Sequence, residues 1–140
     1  MDINLEWEGL EGRVKISQTE KDFRKKALRG LSVVGMAGVN IIQDRTSQSR
    51  SFKGGSFKPY TSDYAAFRKS KGRQKQPDLE FKGTMMGSIT SRVKGVSAEI
   101  FFTRATEAAK AAKNNEKRPF FGFSRAEERK LTDIFLKVIA

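Results

Sequence analysis

The chain has 140 residues and a formal net charge of +12, with neither cysteine nor histidine. Its length favours a single domain over residues 1–140. The absence of cysteine excludes disulfides and thiolate chemistry, and the absence of histidine removes the commonest general base and zinc ligand. No apolar run approaches the roughly 20 residues of a membrane span, and the N-terminus is acidic where a signal peptide would be basic. A soluble, intracellular protein is therefore expected.

The first predicted element is a strand. Ile3, Leu5 and Trp7 alternate with polar residues, a pattern that predicts a half-buried strand over residues 2–8. Residues 10–16 are ambiguous, and a short helix or turn is expected there.

A long helix is predicted over residues 19–47, with Thr19 as its N-cap, because apolar residues recur there at helical spacing. Its glycines at 30, 35 and 38 each cost about 1 kcal/mol relative to alanine. Glycine at such spacing usually lets another part of the chain approach closely. The alternative is a kink or break near Gly35.

The most basic part of the chain is predicted to be a long, extended loop over residues 45–80. Residues 45–75 hold nine basic side chains against one acid, and nine minus one gives +8 of the total charge of +12. Such a density of positive charge favours contact with nucleic acid or an acidic protein surface, although a solvated loop is the alternative. A short helix is expected to begin at Thr61 or Ser62. The predicted contact residues are Arg45, Arg50, Lys53, Lys58, Arg68, Lys69, Lys71, Arg73 and Lys75.

Aromatic residues lie among these cations. They are Phe52, Phe57, Tyr60, Tyr64 and Phe67. Such residues form a stacking platform in proteins that bind single-stranded nucleic acid. The favoured interpretation is that they pin the loop onto the domain, because no recognised nucleic-acid-binding module surrounds them. The Gly54-Gly55 pair lacks the spacing of a phosphate-binding loop.

The C-terminal half predicts a hairpin and two helices. Two alternating segments within residues 89–102 predict a hairpin that turns at Lys94-Gly95. Residues 104–113 are rich in alanine and predict a helix that is closed by Asn114-Asn115. Ser124 and Glu127 have the spacing of a capping box, which predicts a final amphipathic helix.

The expected fold class is α+β, with the long N-terminal helix and the C-terminal helix packed on a small antiparallel sheet. No pair of acidic residues has the surroundings of a catalytic or metal site. We therefore expect no catalysis, no metal and no cofactor.

Several short motifs together resemble a known protein family. They are Glu8-Gly9-Leu10, Gly55-x-Phe57-x-Pro59-Tyr60, Tyr64 with Arg68-Lys69, Asp78-Leu79, Lys82-Gly83-Thr84-Met85-Met86-x-Ser88-Ile89 and Arg118-Pro119-Phe120-Phe121-Gly122-Phe123-Ser124. Over nearly its whole length the chain resembles the virion-morphogenesis proteins of tailed phages, of the Mu tail-completion type, and the similar neck and tail-terminator proteins. One departure is the interval 104–117, where many relatives carry a His-Gln-type motif.

The resemblance implies a structural virion protein without catalysis. It would form a homo-oligomeric ring, commonly of six subunits, at the neck or tail end, after assembly in the host cytoplasm. Its partners would be other neck, portal or connector, and tail-tube or terminator proteins, with double-stranded DNA in the channel. The motif residues implied at subunit interfaces are Phe57, Pro59, Tyr60, Tyr64, Arg118, Pro119, Phe120, Phe121, Gly122 and Phe123. The alternative is a stand-alone nucleic-acid-binding protein that uses the basic, aromatic loop.

Overall fold

The computed structural model describes residues 3–8, 11–16, 21–80 and 83–140, and within these ranges it has four strands and five helices. The elements in chain order are β1 (Ile3–Glu8), β2 (Glu11–Ile16), α1 (Lys21–Ser47), α2 (Ser62–Ser70), α3 (Thr84–Gly87), β3 (Ile89–Lys94), β4 (Ser97–Phe102), α4 (Ala105–Lys117) and α5 (Arg125–Ile139). This arrangement confirms the α+β class. In the described part of the chain, no helix is long and apolar enough to cross a membrane.

The four strands form one antiparallel sheet in the order β1-β2-β4-β3. The predicted strand β1 and the β3–β4 hairpin are confirmed, and Gly95 adopts the positive φ of 61° that the turn requires. The expectation of a helix or turn over residues 10–16 is wrong. That segment is β2, because its backbone pairs with β1 on one side and with β4 on the other. These long-range pairings outweigh its weak local pattern.

One register row of the sheet alternates in charge across all four strands. In the order of the strands it holds Glu6, Arg13, Glu99 and Arg92. Arg92 Nε donates to Glu99 Oε2 at 2.8 Å. Residues of opposite charge at opposed positions stabilise an antiparallel pair, and the Arg92–Glu99 contact joins β3 to β4 in this way.

Helix α1 packs against the sheet on one side and against α5 on another, and its glycines make this possible. A Cβ at Gly38 would lie 2.7 Å from Ile100 Cδ1, and one at Gly35 would lie 2.9 Å from Ser91. A Cβ at Gly30 would lie 2.8 Å from the Phe135 ring. The close-approach interpretation is confirmed, and the alternative of a break is wrong because α1 is continuous. The predicted cap at Thr19 lies outside the described residues.

The two C-terminal helices differ in how well their ends were predicted. The Ser124–Glu127 capping box at the start of α5 is present. Helix α4 does not end at Asn114-Asn115 but continues to Lys117. Asn115 instead accepts hydrogen bonds through Oδ1 from the backbone N–H groups of Phe120 and Phe121, at 3.0 and 3.1 Å. It therefore stabilises the connector that follows the helix.

The predicted long, extended loop over residues 45–80 needs correction. Its first residues belong to α1, which ends at Ser47 as predicted, and the short helix predicted to begin at Thr61 or Ser62 is confirmed as α2. What is wrong is the extended conformation expected for the rest. The remainder is turn and irregular structure tied down by side-chain contacts, because two arginines of the region bind backbone carbonyls and carboxylates of the fold.

Candidate functional site

Residues 58–80, which we call the basic lobe, contain α2 and most of the predicted contact residues. Helix α2 begins at a Thr61 cap, whose Oγ1 accepts a hydrogen bond from Tyr64 N at 3.3 Å. Surface helices usually bury an apolar stripe. The one buried residue of α2 is a cation, Arg68, whose exposed fraction is 1%.

Arg68 holds the lobe together through its whole guanidinium group. Its Nε donates to Gln74 O at 3.0 Å, one terminal nitrogen donates to Glu80 O at 2.8 Å, and the other binds Asp78 Oδ1 at 2.7 Å. The rings of Tyr60 and Tyr64 lie 5.0 and 5.9 Å from the guanidinium carbon. A buried charge needs a full set of partners, and the segment 74–80 supplies them. The central buried residue of the lobe is therefore an arginine, at a position where a surface helix usually has an apolar residue such as leucine.

A second arginine anchors the lobe to the rest of the fold. Arg118, after α4, donates from Nε to Lys58 O at 2.7 Å and from a terminal nitrogen to Pro59 O at 3.2 Å. Its guanidinium carbon lies 4.6 Å from the centre of the Tyr60 ring. The ring of Tyr60 is thus in contact with two guanidinium groups. Burial raises the pKa of its hydroxyl. This effect is larger than the lowering of the pKa by the positive charge of Arg68.

Arg45 makes a similar contact at the end of α1. Its guanidinium binds Glu127 Oε1 at 2.6 Å and donates to the carbonyls of Phe120 and Gly122 at 2.5 and 2.9 Å. The Phe52 ring covers it and also fills the space beside Gly122, where a Cβ would lie 2.5 Å from Phe52 Cζ. Residues 45–52 are therefore pinned to the connector before α5.

The structure corrects two of the predicted contact residues. Arg45 is half-buried and Arg68 is buried, with side-chain exposures of 10% and 1%, and both are engaged in ion pairs within the fold, with Glu127 and Asp78, so neither presents its charge to a DNA channel or an acidic partner. The exposed members of the predicted set are Arg50, Lys53, Lys58, Lys69, Lys71, Arg73 and Lys75. The sequence did not separate the two classes, because a surface cation and a buried one look alike in a basic segment.

Half of the ten motif residues implied at subunit interfaces are buried inside the fold. Phe57, Phe120, Phe121, Gly122 and Phe123 are buried, while Tyr60, Arg118 and Pro119 are half-buried. Pro59 and Tyr64 are exposed. Phe102 packs against Phe121 with ring centres 5.3 Å apart. For the buried members, the interface prediction is wrong, because the four phenylalanine rings belong to the hydrophobic core and Gly122 is covered by the Phe52 ring.

The outer face of α2 exposes two aromatic rings beside cations. Tyr64 and Phe67 keep 40% and 47% of their surface exposed, and their ring centres lie 6.3 Å apart at an interplanar angle of 29°. Lys71 Nζ lies 5.8 Å from the centre of the Phe67 ring. The idea that the aromatic residues pin the loop holds for Phe52, Phe57 and Tyr60. Tyr64 and Phe67 instead form an aromatic surface.

A cleft of about 520 Å³ separates the basic lobe from α4. Tyr60 and Tyr64 line one wall, and Glu107, Lys110 and Asn114 line the other. Glu107 is buried and pairs with Lys110 Nζ at 3.2 Å. Among the residues that the structure describes, no group of three or more acidic side chains could hold a metal ion.

Comparison of the chain with protein-family models, with curated proteins and with solved structures found no match.

Proposed function

We propose that the chain is a non-catalytic structural protein of a tailed-phage virion, a tail-completion or neck subunit that assembles as a ring around the DNA channel. In this role it joins the portal or connector side of the particle to the tail. Its partners are further copies of itself, expected to number six per ring, and the neck, connector or tail-tube proteins on either side. It assembles in the host cytoplasm and ends in the virion.

The observation that carries this proposal is the construction of the basic lobe. A helix with exposed Tyr64 and Phe67 is fixed in place by the most deeply buried cation of the described chain, Arg68. Exposed aromatic rings beside cations are typical of interaction surfaces. A preorganised surface also loses less conformational entropy on binding than a mobile loop does. Such a surface suits a subunit that must dock in one geometry.

The motif residues that resemble the phage family support the same proposal. Tyr60, Arg68, Asp78 and Arg118 come from separate motifs, and the structure brings them into one cluster. All four residues hold the lobe in place. The motifs that resemble the phage family therefore include the residues that determine the shape of the interaction surface.

A second candidate is a stand-alone nucleic-acid-binding protein, which the stacked Tyr64 and Phe67 beside Lys71 favour. Stacking of bases on such rings is worth about 1–3 kcal/mol per base. In that case the chain would bind DNA tightly as a monomer.

The molar mass in solution distinguishes the two candidates. We expect the molar mass to rise with protein concentration toward a closed ring, with DNA binding that is weak and falls steeply with salt. A monomer at every concentration that binds DNA in the nanomolar range at physiological salt would replace the first proposal by the second.

A further inference from the structure

The cleft between the basic lobe and α4 contains a buried carboxylate with a free oxygen. Glu107 lies in the first turn of α4 and lines the cleft, and its side chain is only 7% exposed. Its Oε1 accepts a hydrogen bond from Lys110 Nζ at 3.2 Å. Its Oε2 is buried and has no hydrogen-bond donor among the described residues. A buried acceptor without a donor is costly, so a ligand that supplies a donor is favoured.

The cleft is acidic although the chain as a whole is basic. The charged residues that line it are Arg68, Lys110, Glu80 and Glu107. Arg68 is neutralised by its ion pair with Asp78, which leaves one cation and two carboxylates. Within the described part of the chain, the Glu80 carboxylate has no ion-pair partner. The cleft therefore attracts a cation and repels an anion.

The size and the lining of the cleft indicate which kind of cation fits. A volume of about 520 Å³ is far larger than a bare metal ion needs, and the described residues include no group of acidic side chains that could hold one. Tyr60, Tyr64 and Leu79 give the lobe side of the cleft an aromatic and apolar wall. Of these, Tyr64 keeps 40% of its surface exposed. Carboxylates beside an exposed aromatic ring suit an organic cation.

The chain holds its own arginines with the same combination of groups. Arg68 pairs with Asp78 and lies against two tyrosine rings. Arg45 pairs with Glu127 and lies against the Phe52 ring. A guanidinium group is planar, has five donors and stacks on aromatic rings, whereas an ammonium group is a strongly hydrated point charge. A carboxylate beside an aromatic ring is therefore the arrangement in which this fold binds a guanidinium group.

We propose that this cleft binds the guanidinium group of an arginine side chain from a partner protein. The guanidinium group donates to Glu107 Oε2 and packs on the Tyr64 ring. Lys110 gives way to it, because 64% of the lysine side chain is exposed and such an exposed partner is held weakly. Tyr64 also belongs to the exposed aromatic surface of α2, so a protein that docks there can place a side chain in the cleft. This assignment of the source rests on the proposed function, whereas the guanidinium site itself does not.

A titration of the whole chain with N-acetyl-arginine N-methylamide, followed by amide NMR, tests the site. The blocked ends of this probe leave the side chain as its only charge. We expect the chemical-shift changes to be concentrated in α4 and in the lobe residues that line the cleft. Glu107→Gln keeps the size of the side chain and removes its charge, so it should bind the probe at least about tenfold more weakly. N-acetyl-lysine N-methylamide should bind the wild type at least about threefold more weakly than the arginine probe does.

Glu116→Gln is the matched control. It makes the same change of charge at an exposed position of the same helix, outside the cleft. Its affinity for the arginine probe should stay within about twofold of that of the wild type. If Glu107→Gln fails to fold, two other variants test the site, since Glu80→Gln changes a half-buried residue and Tyr64→Ala an exposed one. Each should bind the arginine probe at least about threefold more weakly.

Three results would overturn the proposal: no shift change at the cleft, equal affinity in wild type and Glu107→Gln, or equal affinity for the arginine and lysine probes. Sedimentation velocity identifies the source of the arginine. Self-association at least about tenfold weaker in Glu107→Gln than in wild type assigns it to a second copy of this chain, and unchanged self-association assigns it to a different protein. If the wild type is a monomer at every concentration, ring formation is contradicted, while the titration still decides the guanidinium site.

Discussion

At the scale of single residues, the most informative side chain is Arg68. Its burial follows from its partners: three acceptors within 3.0 Å and two tyrosine rings replace the water that the guanidinium gives up. A buried cation with this many partners fixes the positions of all of them. The order of the lobe therefore depends on one residue.

Replacing Arg68 by methionine should release the lobe. The substitution leaves Asp78 and two carbonyls without their donor, and breaking such a pair costs about 3–5 kcal/mol. We expect the rate of amide hydrogen exchange in residues 62–80 to rise toward that of an unstructured segment, while the amides of α1 and α5 stay protected. Lys69→Met, at an exposed neighbouring position, is the control and should change little. Unchanged protection in Arg68→Met would refute the central role of this arginine.

Tyr60 makes the lobe sensitive to alkaline pH. Burial raises the pKa of its hydroxyl above the ordinary value of 10.0, so the folded protein holds this proton more tightly than the unfolded chain does. The resulting stabilisation is complete below the ordinary pKa and is lost as the pH rises through the folded pKa. Wild type should therefore lose more stability than Tyr60→Phe above about pH 10. The measurement is the free energy of unfolding of both proteins by chemical denaturation at about pH 9 and about pH 11, on either side of the ordinary pKa. If wild type and Tyr60→Phe lose the same stability between these two pH values, this account is contradicted.

At the scale of secondary-structure elements, the contact between α1 and the sheet depends on Gly38. A methyl group there would lie 2.7 Å from Ile100 Cδ1 and 2.9 Å from Phe123 Cζ. We expect Gly38→Ala to destabilise the protein by about 1–3 kcal/mol through overpacking, although alanine favours the helix itself. Gly87→Ala is the control, since nothing lies within 4 Å of its Cβ position. A higher midpoint of urea unfolding in Gly38→Ala than in wild type would contradict this prediction, because it would show that α1 and the sheet can move apart at little cost.

The elements that the sequence predicted well are those with a local signal. Strand β1, α1, the β3–β4 hairpin and the capped helix α5 each carry their own periodicity or capping residues. Strand β2 was missed because its identity comes from pairing on both sides. The end of α4 was misplaced because Asn115 serves the following connector and does not end the helix.

The candidate site was predicted in its location and not in its construction. The charge of residues 45–75 and the aromatic residues among them pointed to the right region. The short helix α2 was predicted, but nothing in the spacing of Arg68 and Asp78 indicates a buried ion pair, so the segment around the helix was predicted to be extended where it is folded. The roles of Arg45 and Arg118 depend on contacts across about 60–80 residues, which no local pattern encodes.

At the scale of the whole molecule, the concentration of positive charge in one region is the dominant feature. Residues 45–75 carry +8 of the chain's net charge of +12, and the basic lobe is hydrogen-bonded to Arg118 after α4. The excess positive charge favours contact with a polyanion such as DNA. This property suits the proposed subunit of a ring around a DNA channel.

The measurement that tests this account most directly is electron cryomicroscopy of tailed particles assembled with and without the chain. We expect density for the chain as a closed ring around the channel, at the neck or the tail end, and particles without it should be incomplete and non-infectious. Complete, infectious particles assembled without the chain, with no density to assign to it, would contradict the account.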